Sequence, residues 1–225
     1  MPHVVLLGDS IFDNGCYTSG GPDVVSQVRA LLPSGSDATL LAVDGSMTDN
    51  VADQMQRLPR GATDLVLSVG GNNALACASK LGIALFGISG SATASALDSM
   101  VEMSDDFEAH YRSAVTSCLL PGLPLSICTI YNGNFPDEAY QRIASLGLAM
   151  FNDVILRVAI ENRLPVIDLR LICANPEDYA NAIEPSSVGG EKIAKVIVAI
   201  VTGACHQIPA TRVYAAHAIP ALKVQ

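Results

Sequence analysis

The 225-residue sequence contains no tryptophan, and its aromatic and charged residues make up only 5% and 16% of the chain. Hydrophobic residues account for 50%. A chain so poor in charge and so rich in apolar residues can bury enough surface to offset its ordering entropy, which excludes intrinsic disorder. The length suits one domain. We therefore predict that residues 1–225 form a single domain with a C-terminal tail from about residue 204.

Basic residues are also scarce, because 13 Lys and Arg stand against 22 Asp and Glu and give a net charge of -9. Nucleic acids and anionic membrane surfaces are bound by clustered Lys and Arg, so neither is an expected partner. A neutral or cationic small molecule is easier to accommodate. The sequence indicates no particular oligomeric state.

Export and membrane signals are missing as well. The N-terminus, MPHVVLLGDS, has no basic segment before its short apolar run and no small-residue cleavage pattern after it. The stretch Ala74–Leu97 is interrupted by Lys80 and by small polar residues, so it does not supply the roughly 18-residue apolar span of a transmembrane helix. We expect a cytoplasmic protein without a membrane span.

Motifs for metals and cofactors are absent from the sequence. The six cysteines lie far apart, without the paired short spacing of a zinc site, and are interpreted as reduced thiols. Neither the GxGxxG nor the GxxxxGKS/T motif of nucleotide-binding loops occurs. An oxygen-ligand metal site could at most be built from Asp9, Asp13, Asp44 and Asp49, and this alternative ranks third. We expect no metal and no cofactor.

Short β-branched or leucine-rich runs alternate with helical patterns along the chain. This alternation is typical of βαβ units, so we predict an α/β protein with a parallel sheet and helices on both faces. The small-residue stretch Gly87–Ala96 is predicted to be a mobile insertion or lid. The predicted strands are His3–Leu7, Thr39–Val43, Leu65–Val69, Leu125–Tyr131 and Pro165–Leu169. The predicted helices are Asp23–Leu32, Asn50–Arg57, Ser104–Leu119, Asp137–Asn162 and Ser187–Thr202.

Polar loops follow the first four predicted strands. They read GDS from Gly8, DGS from Asp44, GGNN from Gly70 and YNGN from Tyr131. In parallel α/β folds the loops at the carboxyl ends of the strands build the ligand site. We therefore expect the functional site at this edge of the sheet.

Ser10 directly follows the first predicted strand, where a turn can present its hydroxyl at the sheet edge as a nucleophile. A Gly-Asp-Ser turn alone is more often capping and turn chemistry. The second and third loops add glycine N–H and asparagine amide donors, which could form an oxyanion hole, although both residue types also serve ordinary turns. The occurrence of all three loops in this order favours catalysis.

These loops resemble the conserved blocks of the SGNH hydrolases, also called GDSL-type hydrolases. The resemblance implies a flavodoxin-like three-layer α/β/α sandwich with a five-stranded parallel sheet. It also implies Ser10 as the nucleophile, with its own N–H, the Gly45 N–H and the Asn72 side chain as oxyanion donors. The residues that match the family blocks are Gly8, Asp9, Ser10, Gly45, Gly70 or Gly71, Asn72 and Asn73.

The fifth block of that family, DxxH, is not matched here. The corresponding stretch, NAIEPSSVGG, places Asn181 at the position of the Asp and Glu184 at that of the His. A serine hydroxyl is a poor nucleophile without a positioned base. Three alternatives follow: Glu184 is the base, with a pKa raised by burial or by Asp9; a distant histidine, by position His206, supplies it; or the site has no base.

From these residues we predict a serine esterase that hydrolyses small esters through an acyl-Ser10 intermediate. Glu184 is the predicted non-standard base, Gly45 and Asn72 form the oxyanion hole, and Asp9 and Asn73 support the site. The alternative is an SGNH-fold protein without turnover that binds an acyl or carbohydrate ligand. The sequence does not indicate which acyl or alcohol group is recognised.

Overall fold

The computed structural model describes residues 1–77 and 90–207, together with residues 211 and 213. Its centre is a five-stranded parallel sheet with the strand order β2-β1-β3-β4-β5. The sheet and its helices on both faces confirm the predicted α/β architecture. The strands are β1 (His3–Gly8), β2 (Asp37–Leu40), β3 (Asp64–Ser68), β4 (Leu125–Cys128) and β5 (Val166–Ile167).

The central strand β1 is covered on both faces, which explains why its sequence is an unbroken apolar run. Its side chains alternate between two cores, as the two-residue period of a strand requires. Val5 and Leu7 belong to the core on one face of the sheet, whereas Val4 and Leu6 belong to the core on the other face. The helices are α1 (Val24–Leu31), α2 (Val51–Met55), α3 (residues 71–77 of the described chain), α4 (Gly90–Leu119), α5 (Glu138–Asn162), α6 (Leu169–Ile172) and α7 (Ser187–Val201).

Helix starts follow the capping residues in the sequence. The side chains of Asp23, Asp137 and Ser186 accept backbone N–H bonds at the first turns of α1, α5 and α7. A capping side chain satisfies N–H groups that the helix itself cannot pair. The predicted starts of these three helices therefore agree with the structure to within one residue.

Several predicted boundaries differ from the structure, including the end of β4, which lies at Cys128 rather than Tyr131, and the bounds of β2 and α4. Strand β2 ends at Leu40 rather than Val43, because the N–H groups of Leu41 and Ala42 both donate to the Leu6 carbonyl at 2.9 Å and interrupt the regular ladder. Helix α4 begins at Gly90, well before the predicted Ser104. Alanines favour helix within this stretch despite its many serines.

Part of the predicted insertion or lid at Gly87–Ala96 falls in this helix. Residues 90–96 have helical backbone, and residues 87–89 lie outside the described part of the chain. Residues 90–96 therefore belong to α4. Helical backbone does not by itself test a mobile insertion or lid, which stays a prediction.

Helix α5 has the length and composition of a membrane-crossing helix, with a mean hydropathy of 1.7 over its most apolar window. A third of that window is buried inside the protein. The buried residues cluster in its C-terminal half, where Phe151, Val154, Ile155 and Val158 pack into the core under α4 and α5. Burial of this kind accounts for the apolar residues of the C-terminal half. In the N-terminal half, Ile143 and Leu146 are exposed.

Candidate active site

The chain turns sharply at the carboxyl end of β1, where Gly8 has a φ of +126°. A side chain here would place its Cβ 1.7 Å from the Ser68 carbonyl oxygen of the neighbouring strand, so only glycine fits. The Asp9 N–H then donates to the same oxygen at 3.1 Å. This close approach places Ser10 at the sheet edge, one residue beyond the turn.

The buried side chain of Gln54, on α2, holds the end of β1. Its Oε1 accepts the Gly8 N–H at 2.8 Å, and its Nε2 donates to the Gly8 carbonyl at 2.7 Å. Nε2 also lies 3.3 Å from the Ser46 hydroxyl in the loop after β2. The amide thus joins the strand that leads to Ser10 to the second loop of the site.

Replacement of Gln54 by methionine is expected to lower the free energy of unfolding by about 2 kcal/mol, because the buried Gly8 N–H loses its partner while the side-chain volume stays similar. Urea denaturation of the variant measures this change. Gln56→Met, two residues away and exposed, is the matched control and should stay within about 0.5 kcal/mol of the wild type. Equal losses of unfolding free energy in both variants would contradict a stabilising role for the bonds between Gln54 and Gly8.

The two asparagines after β3 fasten the loop after β2. Asn72 Nδ2 donates to the Ser46 carbonyl at 2.9 Å. Asn73 binds Thr48 twice, since its Oδ1 accepts the Thr48 N–H at 3.2 Å and its Nδ2 donates to the hydroxyl at 3.1 Å. These bonds place Asn72 beside the loop that carries Gly45.

Hydrogen-bond donors remain available at this edge of the sheet. Gly45 is exposed with a φ of +79°, and its N–H has no hydrogen-bond partner among the described residues. The same is true of the Ser10 N–H. Asn72 uses one of its two amide hydrogens for Ser46, which leaves the other free. The structure therefore offers unpaired donors on each of the three predicted residues.

Glu184 is carried by a tight turn that Asn181 stabilises. Asn181 Oδ1 accepts the N–H groups of Ile183 and Glu184, each at 2.9 Å. The Glu184 carbonyl in turn accepts the Ala180 N–H at 2.8 Å. In this chain the residue at the family's Asp position therefore shapes the backbone of the turn.

Side chains from two other loops bind this turn. Buried Asn14 donates from Nδ2 to the Pro185 carbonyl at 3.1 Å, and its Oδ1 accepts the Val24 N–H at 3.0 Å. The Tyr131 hydroxyl donates to the Ile183 carbonyl. The turn is thus fixed on one side by the loop after Ser10 and on the other by the loop after β4.

Ser10 and Glu184 lie close together at the sheet edge, near enough for the Ser10 side chain to act on the Glu184 carboxyl group. Glu184 is only 5% exposed, and its Oε2 has no hydrogen-bond partner among the described residues. Burial raises the pKa of Glu184 from its ordinary 4.5 to about 7, the Ser10 side chain opposes the rise, and the charge of Asp44 adds to it. The carboxyl group therefore changes charge near neutral pH.

Asp9 is a second buried carboxyl group, next to Ser10 in sequence and only 2% exposed. Burial raises its pKa from 3.8 to about 7; the Ile11 N–H, which donates to Oδ1 at 3.2 Å, opposes the rise, and the charge of Glu184 adds to it. Two buried carboxyl groups that sense each other are disfavoured when both are ionised. The site therefore tends to retain a proton at neutral pH.

Asp9→Asn is expected to stabilise the protein at pH 8 by about 2–4 kcal/mol and to have little effect near pH 4. Between these values the native state holds a proton at Asp9 that the unfolded chain has released, so the wild-type unfolding free energy falls as pH rises toward about 7. Denaturant unfolding of both proteins across this pH range measures the difference between their unfolding free energies. Asp105→Asn, at an exposed position on α4, should not reproduce it.

The histidines offer no alternative base at this site among the side chains that the structure describes. His3 lies at the amino end of β1, where Nε2 is 2.8 Å from the Thr39 hydroxyl. His110 is exposed on α4 and bonds to the Asp106 carbonyl. The structure describes neither the His206 side chain nor His217, so the hypothesis of a distant histidine stays a prediction.

Sequence reasoning missed the polar contacts that join the loops. Gln54 could only be suspected from its position three residues after Val51 on a short helix. Tyr17 donates to Asp44 Oδ2 at 2.7 Å, and Asp13 Oδ2 accepts the Asp44 N–H at 2.9 Å.

No group of three or more possible His, Cys, Asp or Glu ligands is placed to hold a metal ion in the described part of the chain.

The sandwich, the serine directly after β1 and the donors after β2 and β3 define an SGNH-type α/β hydrolase fold. The chain belongs to the GDSL-like lipase/acylhydrolase family, whose sequence profile matches residues 6–189. This match confirms the predicted superfamily. At the level of the family, the function is esterase, lipase or acylhydrolase activity.

Solved structures of the same fold include the extracellular lipase of Streptomyces rimosus, at 16% identity over 91% of this chain and 100% of that chain, with a TM-score of 0.63. The acetyl xylan esterase AlAXEase is 18% identical over 88% and 99% of the two chains, with a TM-score of 0.63. Est24, a carbohydrate acetylesterase from Sinorhizobium meliloti, is 11% identical over 91% and 100%, with a TM-score of 0.57. No curated protein matches the sequence.

Proposed function

We propose that the protein hydrolyses small esters through an acyl-Ser10 intermediate, with Glu184 as the catalytic base. The observation that carries the proposal is the proximity of these two buried side chains at the edge of the sheet, where the Ser10 side chain acts on the Glu184 carboxyl group. A general base is most effective when its pKa lies near the working pH. With a pKa of about 7, Glu184 meets this condition, whereas an ordinary glutamate does not.

Acylation begins when ionised Glu184 takes the proton of the Ser10 hydroxyl as its oxygen attacks the ester carbonyl carbon. The carbonyl π electrons move onto the oxygen and give a tetrahedral oxyanion. Its collapse breaks the bond to the alcohol oxygen, which receives the proton from Glu184. The alcohol leaves, and the acyl group stays on Ser10.

The oxyanion is proposed to be stabilised by the Ser10 N–H, the Gly45 N–H and the Asn72 amide. Donors that have no partner before the reaction need not break other bonds when charge develops on the substrate oxygen. Asn73 and Gln54 support this arrangement because they fix the loop that carries Gly45 and the strand that leads to Ser10.

Deacylation repeats the sequence with water as the nucleophile. Glu184 takes a proton from the water, the hydroxide attacks the acyl carbon, and the second tetrahedral intermediate collapses. Ser10 leaves with the proton from Glu184, and a carboxylic acid is released. Each cycle consumes one water molecule and returns both side chains to their starting state.

The proposal is tested with p-nitrophenyl acetate and a fluorophosphonate probe across a pH series. We expect kcat/KM to rise through pH of about 7 and to level off above it, because only ionised Glu184 accepts the proton. Mass spectrometry should locate the phosphonyl group on Ser10. A folded protein that is neither labelled nor active at any pH would instead be a binding protein for an acyl or carbohydrate ligand.

A further inference from the structure

The entrance to the site carries several carboxylates from separate loops. Asp13 follows β1, Asp44 follows β2, and Glu184 precedes α7. Asp13 Oδ2 accepts the Asp44 N–H at 2.9 Å, so the Asp13 carboxylate lies against the backbone of Asp44, whose own carboxylate accepts the Tyr17 hydroxyl. Asp44 directly precedes Gly45, whose N–H is a proposed oxyanion donor, and the charge of Asp44 raises the pKa values of Glu184 and Asp9.

No basic side chain balances these carboxylates within the described residues. Arg170 is paired with Asp168 at 2.6 Å, and Lys192 is paired with Asp178. None of Asp13, Asp44 and Glu184 takes part in an ion pair in the part of the chain that the structure describes. The local charge at the entrance is therefore negative.

Glu184 adds an observation of a different kind, which indicates that a ligand completes the site. Glu184 is more than nine-tenths buried, and its Oε2 has no hydrogen-bond partner among the described residues. A buried carboxyl oxygen without a partner is costly, and a positively charged or hydrogen-donating ligand would relieve that cost. The hydrogen bond from Tyr17 holds the Asp44 carboxylate in place and raises the pKa of the Tyr17 hydroxyl.

We propose that the site selects esters whose alcohol portion carries a positive charge, such as a quaternary ammonium group, which Asp44 and Asp13 attract. The charge belongs on the alcohol side because Glu184 must protonate the leaving oxygen, so the alcohol lies toward Glu184 and Asp44. Anionic esters are repelled by the same charges. This inference rests on the proposed function of Ser10 and Glu184, and it names the substrate class of that site.

The first test compares acetylcholine with 3,3-dimethylbutyl acetate, a neutral ester of nearly the same shape. At low ionic strength we expect kcat/KM to be about tenfold higher for the cationic ester, since partly exposed charges at short range contribute on this order. The preference should shrink in 0.5 M salt, because the Debye length there is about 4 Å and exposed charges are strongly screened. A preference that is equal at both salt concentrations, or absent, would overturn the inference.

In the double variant Asp13→Asn/Asp44→Asn, the kcat/KM for the cationic ester should be close to that for the neutral ester. Its control, Asp37→Asn/Asp64→Asn, removes the same number of charges at the amino ends of β2 and β3, the opposite edge of the sheet, and should keep the preference. Circular dichroism checks that both variants fold. If the double variant does not fold, Asp44→Asn alone and the wild-type salt dependence decide the question.

A binding measurement separates this inference from the proposed catalysis. Calorimetry on the Ser10→Ala protein compares choline with 3,3-dimethylbutan-1-ol, and choline should bind about tenfold more tightly. If no ester is hydrolysed but choline is preferred, the proposed catalysis fails and the cation site stands. If both esters are hydrolysed equally and choline is not preferred, the catalysis stands and the cation site is wrong.

Discussion

Ser10→Ala is expected to lower kcat/KM for p-nitrophenyl acetate by about 1000-fold and to abolish fluorophosphonate labelling, because the variant has no atom that can accept the acyl group. This loss corresponds to ~4 kcal/mol of transition-state stabilisation. The Ser10 side chain lowers the pKa of the Glu184 carboxyl group, so removal of the hydroxyl should raise that pKa further. Rates of p-nitrophenyl acetate hydrolysis and the extent of fluorophosphonate labelling, with both proteins at equal concentration, measure the effect.

The fold should tolerate this change, since alanine fills almost the same volume at a position that is only 7% exposed. Ser34→Ala is the matched control, because Ser34 is an exposed serine near the amino end of β2. It should retain full activity and labelling. Residual activity in Ser10→Ala above a tenth of the wild-type rate would show that another residue acts as nucleophile.

Glu184→Gln is expected to lower kcat/KM by about 100- to 1000-fold, because the amide has the shape of the carboxylate but accepts no proton at neutral pH. The rise of activity through pH of about 7 should disappear with it. The remaining rate reflects substrate binding and oxyanion stabilisation. A full pH profile of kcat/KM is the required measurement, since a single pH value does not distinguish a lost base from a distorted site.

Glu177→Gln provides the control for this variant, because Glu177 is exposed in the segment that leads to the same turn. Its pH profile should match that of the wild type. If Glu184→Gln were to keep both the rate and the pH dependence, the base would have to be sought elsewhere, and His206 would be the next candidate. Loss of rate with an unchanged pH profile would indicate a positioning role for Glu184.

The sheet was predictable because β1, β3 and β4 are buried on both faces and therefore consist of apolar runs with polar loops at their ends. Helix starts were predictable where a capping side chain precedes them, as at Asp23 and Ser186. The end of β2 was not predictable, because it depends on two N–H groups that share one carbonyl of a neighbouring strand. Local sequence contains no information on such pairing.

The site was predictable only in outline. Ser10, Gly45 and Asn72 follow three neighbouring strands, so their convergence at one edge follows from the parallel topology. The position of Glu184 came from the family resemblance alone. The contacts that raise its pKa, and the placement of Gln54 and Tyr17, depend on distant segments, and no spacing in the sequence encodes them.

The order of the segments along the chain has a consequence for how the site is assembled. All five strands precede Glu184, so the sheet can form during synthesis while the turn that carries this residue is still missing. The turn comes into place when α7 docks on α1, where Gln27 Nε2 donates to the Ser187 carbonyl at 2.9 Å. The bonds from Asn14 to the Pro185 carbonyl and from Tyr131 to the Ile183 carbonyl then fix the turn against the loops after β1 and β4. The nucleophile of a nascent or partly folded chain should therefore stay unreactive until the last helix has docked.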